Sequence, residues 1–188
     1  MWWIILFIII VLAIIAIVVY NGVISAKNKC AESKSAIDTV LQNRYDLIPN
    51  LVEVVKQYVT HEKTVLEDIT KLRSAAMETK DLSKDKLDKE NQISGTLKTI
   101  FALSENYPDL KANQNFIQLQ NQRAEIEDRL QAARRWYNAA VKALNDKKQM
   151  FPSSLFAAKM TIPAYDMFEV TGEEVKQNLN AKELFTSK

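Results

Sequence analysis

At 188 residues, with 47% apolar and 26% charged side chains, the chain has room for one folded domain beside a short accessory segment. Twenty-five basic side chains face 23 acidic ones, and the net charge of +2 gives no general electrostatic reason to expect nucleic acid as a partner. Three Gly and four Pro are few turn-makers, which suits long helices, and the single cysteine excludes an internal disulfide. That residue, Cys30, is no lipoprotein attachment site either, because Lys27 and Lys29 stand where small apolar residues would be needed.

From Trp2 to Tyr20 there is no charged residue, Gly or Pro. At 1.5 Å per residue this stretch makes a helix of about 28 Å, close to the thickness of a hydrocarbon core. Trp2, Trp3 and Tyr20 lie at its two ends, where amphipathic rings prefer the headgroup interface. No basic residue precedes the apolar run, and Ser25-Ala26 is a poor cleavage site, so the segment reads as a retained anchor rather than a cleaved signal. Lys27, Lys29 and Lys34 follow the span while no Lys or Arg precedes it, which places the N-terminus outside and the C-terminal bulk in the cytoplasm.

Beyond the anchor one apolar seam runs Ile37, Leu41, Arg44, Ile48, Leu51, Val55, Tyr58, Glu62, Val65, Ile69, Leu72. Steps of four and three give the 3.5-residue period of packed bundles and coiled coils, and predict a helix from about Ser25 to Glu78. Pro49 lies inside it, removes a backbone donor and frees the carbonyl of Tyr45, so a kink, or a full break into two helices, is expected there. The polar run Asp81 to Glu90 reads as a loop, with Lys86 solvated in it. A second helix carries Ile93, Leu97, Ile100, Phe101 and Leu103 and stops before Pro108. A third carries Phe116, Leu119, Ile126, Leu130, Ala133, Tyr137, Val141 and Leu144, and meets no Gly or Pro before Pro152. A short helix over Ser153 to Lys159, capped by Ser153, and a tail with Phe168, Leu179, Leu184 and Phe185 complete the chain. The third helix outruns the second, which leaves an overhang. The expected architecture is therefore all-α: a transmembrane anchor over residues 1–21, a helical bundle over 22–160 and a tail over 161–188.

Several segments resemble the LemA family of bacterial membrane proteins: Tyr20-Asn21, Ile37-Asp38, the run Arg44-Tyr45-Asp46-Leu47-Ile48-Pro49-Asn50-Leu51-Val52, and Tyr58 with His61-Glu62. Glu105-Asn106-Tyr107-Pro108-Asp109-Leu110-Lys111-Ala112, Arg134-Arg135-Trp136-Tyr137-Asn138 and Phe151-Pro152 continue the likeness. Asn43, where the family usually has a basic residue, and Trp136, where it has another aromatic, depart from it. The resemblance implies an N-terminal anchor in the bacterial plasma membrane, an antiparallel helical bundle behind it, and no assigned catalytic activity or cofactor.

The residues themselves offer little for chemistry. His61 is the sole histidine, so a site with two imidazoles cannot form within one chain, and Gly22, Gly95 and Gly172 are too isolated for a phosphate loop. Cys30 and His61, as a thiol dyad, would lie roughly 45 Å apart on one helix. No enzyme, cofactor or metal site is expected. Arg44 and Glu62 interrupt the apolar seam, too far apart to pair with each other. Either these long side chains snorkel outward from the seam edge, or they form buried ion pairs that fix register, with Arg123, Glu127 and Arg134 on or near the seam of the third helix. Arg44, Pro49, Asn50, His61, Glu62 and Arg134 are the structural or interface candidates. The basic end of the third helix (Arg129, Arg134, Arg135, Lys142, Lys147, Lys148) is a solvated face or a contact for anionic lipid. The expected function is a non-catalytic scaffold, anchored in the lipid bilayer, that self-associates as a homo-oligomer or recruits an unidentified protein partner. The alternative is an envelope sensor that binds a small ligand between its helices.

Overall fold

The computed structural model of the protein describes residues 1–79 and 82–168. Its first element, α1 (Trp2–Lys56), is one helix of 55 residues. The apolar span and the first core helix are therefore a single rod, with no hinge at Gly22. The helix also runs through Pro49 without a break, because α2 (Lys63–Glu78) supplies what the ring removes. The carbonyl of Tyr45, deprived of its donor four residues on, accepts a hydrogen bond from Arg73 Nε at 2.7 Å. Pro49 itself faces outward.

The single helix expected to reach Glu78 ends at Lys56, and the chain reverses over residues 57–62. Periodicity missed this reversal because α2 folds back on the stripe that α1 presents. Val65, Ile69 and Leu72 thus keep the seam's spacing while lying on a different helix. The expected loop over Asp81 to Glu90 is also largely a helix: α3 (Lys84–Leu103) begins with Ser83 Oγ accepting the N–H of Lys86 at 3.5 Å. Lys86 and Glu90 in its first two turns are buried, Lys86 within 3.8 Å of Asp38 Oδ1.

α3 closes in a single 3₁₀ turn over Ser104–Asn106, and Pro108 opens the short α4 (Pro108–Ala112) at the position where a missing N–H costs least. Asn113 Oδ1 then accepts the N–H of Phe116 at 3.0 Å and caps α5 (Gln114–Gln149). After a turn with a cis Phe151–Pro152 bond, α6 (Ser153–Ala157) packs against α1 and α5. Ser153 does not cap it: its hydroxyl donates back to the carbonyl of Met150 at 2.9 Å.

Cross-helix pairs fix the register. Tyr58 meets Asn113 and Arg44 meets Glu127, so α5 runs antiparallel to α1. Asp38 meets Lys86 and Arg44 meets Glu90, so α3 runs parallel to it, while α2 returns between them. The result is an up-down four-helix core built on Ile37, Leu41, Ile48, Leu51, Ile69, Ile93, Leu97, Leu130 and Leu144. It covers the apolar stripe of α1: Leu51 and Val55 are fully buried. α2 and α3 reach only the half of the core remote from the apolar span. Over the near half, the overhang of α5 is filled by residues 161–168, an extended strap held by Lys27 Nζ on the carbonyl of Thr161 (3.2 Å) and by Asn138, which exchanges two 3.0 Å hydrogen bonds with the backbone of Phe168. Phe168 thus docks on its own bundle; Leu179, Leu184 and Phe185 lie outside the described residues.

Candidate functional site

The seam's one arginine became the centre of a buried charge cluster. A charged residue in an apolar stripe is stable only if its burial is matched by opposite charge and hydrogen bonds. Arg44, 2% exposed, donates through Nη1 to Glu90 Oε2 at 3.2 Å and to the Glu90 carbonyl at 3.3 Å, and through Nη2 to Glu127 Oε2 at 2.6 Å. Glu90 is fully buried, and its other carboxylate oxygen accepts the hydroxyl proton of Tyr45. Burial first, then that bond to a carboxylate, push the Tyr45 phenol well above its ordinary range. Three helices are thereby tied through one guanidinium, which is a device for fixing register more than for adding stability. The outward snorkelling of Arg44 does not occur.

Arg134, two turns along α5 from Glu127, lies beside this cluster. Its guanidinium stacks over the Phe168 ring at 4.8 Å, and its Nε and one Nη are buried without a hydrogen-bond partner. Burial, and then the charge of Arg44, lower its pKa, while Glu127 and Glu90 oppose that. Arg123 stacks similarly over Phe101, at 5.1 Å. Burial also raises the Tyr137 phenol to about 12 and the Cys30 thiol above its usual value.

The other sequence candidates separate. Asn50 and Asp46 stay on the outer face of α1, where Asn50 reaches only the Asp46 carbonyl at 3.5 Å. They line a shallow groove of about 290 Å³ between α1 and α5, and the freed Tyr45 carbonyl points elsewhere, to Arg73. His61 is exposed in the distal turn. Glu62 next to it accepts from Tyr107 Oη at 2.6 Å and from the His61 N–H at 3.2 Å; the Tyr107 bond above all lowers its pKa, against some desolvation. Glu62 and Tyr107, with Tyr58 and Asn113, tie the far ends of α1, α2 and α5 together. Among the described residues no three His, Cys, Asp or Glu side chains converge on one point.

At the opposite end, α1 is the one helix among the described residues long and apolar enough to cross a membrane, and none of its apolar window is buried. Trp2 and Trp3 are exposed at its tip, and the Tyr20 ring meets Phe156 of α6 edge-on at 6.4 Å. A Cβ added to Gly22 would lie 3.9 Å from the Lys147 ammonium, so the basic end of α5 stands level with the end of the apolar span.

What sequence reasoning missed was Glu90, Arg73 and Tyr107. Each is a polar partner to a residue it had flagged, reached across 28 to 46 positions of chain. A family model, described as the LemA family, matches residues 33–182. Protein LemA from Metamycoplasma hominis is 23% identical over 151 residues, covering 80% of this chain and 69% of that protein. The match takes in α2 to α6 and α1 from Ser33 onward, including the Arg44–Glu90–Glu127 cluster, and the chain belongs to the LemA family.

Proposed function

We propose that the protein is a non-catalytic, membrane-anchored helical scaffold that self-associates or recruits proteins at the surface of the bacterial plasma membrane. The observation that carries this reading is the continuity of α1: the same helix supplies an apolar span and the central rod of the bundle. A domain continuous with its anchor cannot swivel against it, which suits assembly. The lysines that gather at the anchor end support an N-out orientation with the bundle in the cytoplasm. The buried stripe of α1 is not the contact surface, since its own bundle covers it, so self-association draws on outward-facing residues such as Ile117 and Trp136, each 43% exposed.

Cross-linking in native membranes, with identification of the captured neighbours, tests the scaffold. Mass-resolved size exclusion of detergent-solubilised full-length protein and of a version lacking residues 169–188 tests self-association. Monomers in both, with no cross-linked homologous or foreign partner, would remove the scaffold. Protease cleavage of the C-terminus from outside intact cells would overturn the orientation.

The second reading, an envelope sensor, draws on an open groove of about 590 Å³ under the strap, lined by Lys34, Asp38, Tyr137, Tyr165 and Asp166. Its mixed charge and phenols suit a small polar ligand.

A further inference from the structure

Among the described residues outside the apolar span, the most exposed large apolar side chains cluster in one place. Met150 is 61% exposed, Phe151 81% and Leu155 60%, all within the elbow that joins α5 to α6. An isolated exposed Leu needs no explanation, but three adjacent bulky apolar residues on a charged bundle do. Their position supplies one. Phe156 of the same elbow touches Tyr20, the last residue of the apolar span, and Lys147 stands opposite Gly22. With Trp2 to Tyr20 in the hydrocarbon, the elbow therefore lies at the level where acyl chains give way to headgroups.

Charge agrees with position. Lys147 and Lys148 end α5 beside the elbow and Lys159 follows α6, all exposed. Lys27 and Lys29 on α1 stand one to two turns further out, and Asp146, half-buried, is the one acidic side chain between Val141 and Lys159. Apolar residues at the acyl boundary under a ring of ammonium groups is the arrangement of interfacial membrane-binding segments.

We propose that the Met150–Leu155 elbow is a second membrane contact: Met150, Phe151 and Leu155 insert into the cytoplasm-facing interface beside the anchor, and Lys147, Lys148 and Lys159 bind anionic lipid headgroups. This rests on the reading of α1 as a membrane span. The anchor alone fixes one point and leaves the bundle free to tilt. A second contact on one side of the rod fixes the tilt and the face of the bundle that looks away from the bilayer.

The test uses the full-length protein in vesicles of equal phosphatidylglycerol and phosphatidylcholine. Nitroxide labels are placed singly at Phe151→Cys, Leu155→Cys, Ile9→Cys and Lys63→Cys, in a Cys30→Ser background, with far-UV circular dichroism to verify the fold. Depth is read from the accessibility of each label to oxygen against a water-soluble nickel chelate. The Ile9→Cys label should lie deep, Lys63→Cys in water, and the two elbow labels about 5–10 Å below the headgroup boundary. Charge reversal by Lys147→Glu with Lys148→Glu should move the elbow labels toward water. Elbow labels as aqueous as Lys63→Cys, with Ile9→Cys deep, would overturn the proposal alone. An aqueous Ile9→Cys label would instead overturn the span, and elbow depth unchanged by charge reversal would remove the lysines from the contact.

Discussion

Removing one partner from the Arg44 cluster should cost far more than removing the cluster. Arg44→Met leaves the Glu90 carboxylate, fully buried, with the Tyr45 hydroxyl as its remaining side-chain partner. Glu90→Leu leaves Arg44 its 2.6 Å bond to Glu127, whose side chain is 30% exposed and brings some solvation with it. Breaking a buried pair from one side costs about 3–5 kcal/mol, so Arg44→Met should fall at the upper end of that range and Glu90→Leu at the lower. The double variant replaces charge by well-fitting apolar atoms, and should be less destabilised than the sum of the singles by about 2–3 kcal/mol. Urea unfolding of the full-length protein in mild detergent, followed by circular dichroism and by a near-native probe such as Trp136 fluorescence, gives the three values. Strict additivity, or a cost below about 0.5 kcal/mol for Arg44→Met, would mean that the cluster is solvated and does not tie the helices.

Deleting Met1 to Tyr20 should leave a soluble, mostly helical protein, because the described core makes no use of that span; a largely unfolded circular dichroism spectrum would contradict this. Leu51→Asp, at a fully buried position, should cost more than about 4 kcal/mol in a denaturant titration. Lys86→Ala, which reads from the sequence as silent, should cost about 1–2 kcal/mol, since it strips a buried ammonium from Asp38, whereas the exposed Lys71→Ala should stay within about 0.5 kcal/mol. Tyr107→Phe tests the Glu62 bond through pH. Because Tyr107 lowers the folded-state pKa of Glu62, its stabilisation is complete above the unfolded value of about 4.3 and is lost as pH falls through the folded one. The gap in thermal midpoint between wild type and Tyr107→Phe should therefore be constant near neutrality and narrow in acid; a gap independent of pH would assign it to packing.

Element type was legible in the sequence where periodicity alone determines it. The apolar span, the third long helix and the stop before Pro108 follow from composition, a 3.5-residue stripe and proline chemistry. The turn at 57–62 was not, because Tyr58 and Glu62 hold the seam's spacing by coincidence of register and the turn contains neither Gly nor Pro. The first turns of α3 were misread for a different reason. Lys84 to Glu90 looks solvated by composition, yet Leu87, Glu90, Ile93 and Leu97 already follow a helical stripe, and Glu90 is in it as the counter-charge of an arginine 46 residues earlier. Likewise Pro49 announces a free carbonyl at Tyr45, while nothing local names Arg73 as its donor. Long-range charge pairing has no sequence period, so that part of the site became visible only in the fold.

The unbroken α1 has a consequence in distance. From Tyr20 to Lys56 the rod rises about 54 Å, so a bilayer that receives the apolar span holds the turn around His61 at that height. Headgroup charge fades over about 8 Å at physiological salt, so the tip would stand several screening lengths beyond the field of such a bilayer. A protein drawn to anionic lipid would pass beneath the tip, and one that binds the tip must come from bulk solution or from a surface facing it. With the span in a bilayer, inserting whole turns of α1 between Tyr20 and Val23 would raise the tip by about 5.4 Å each.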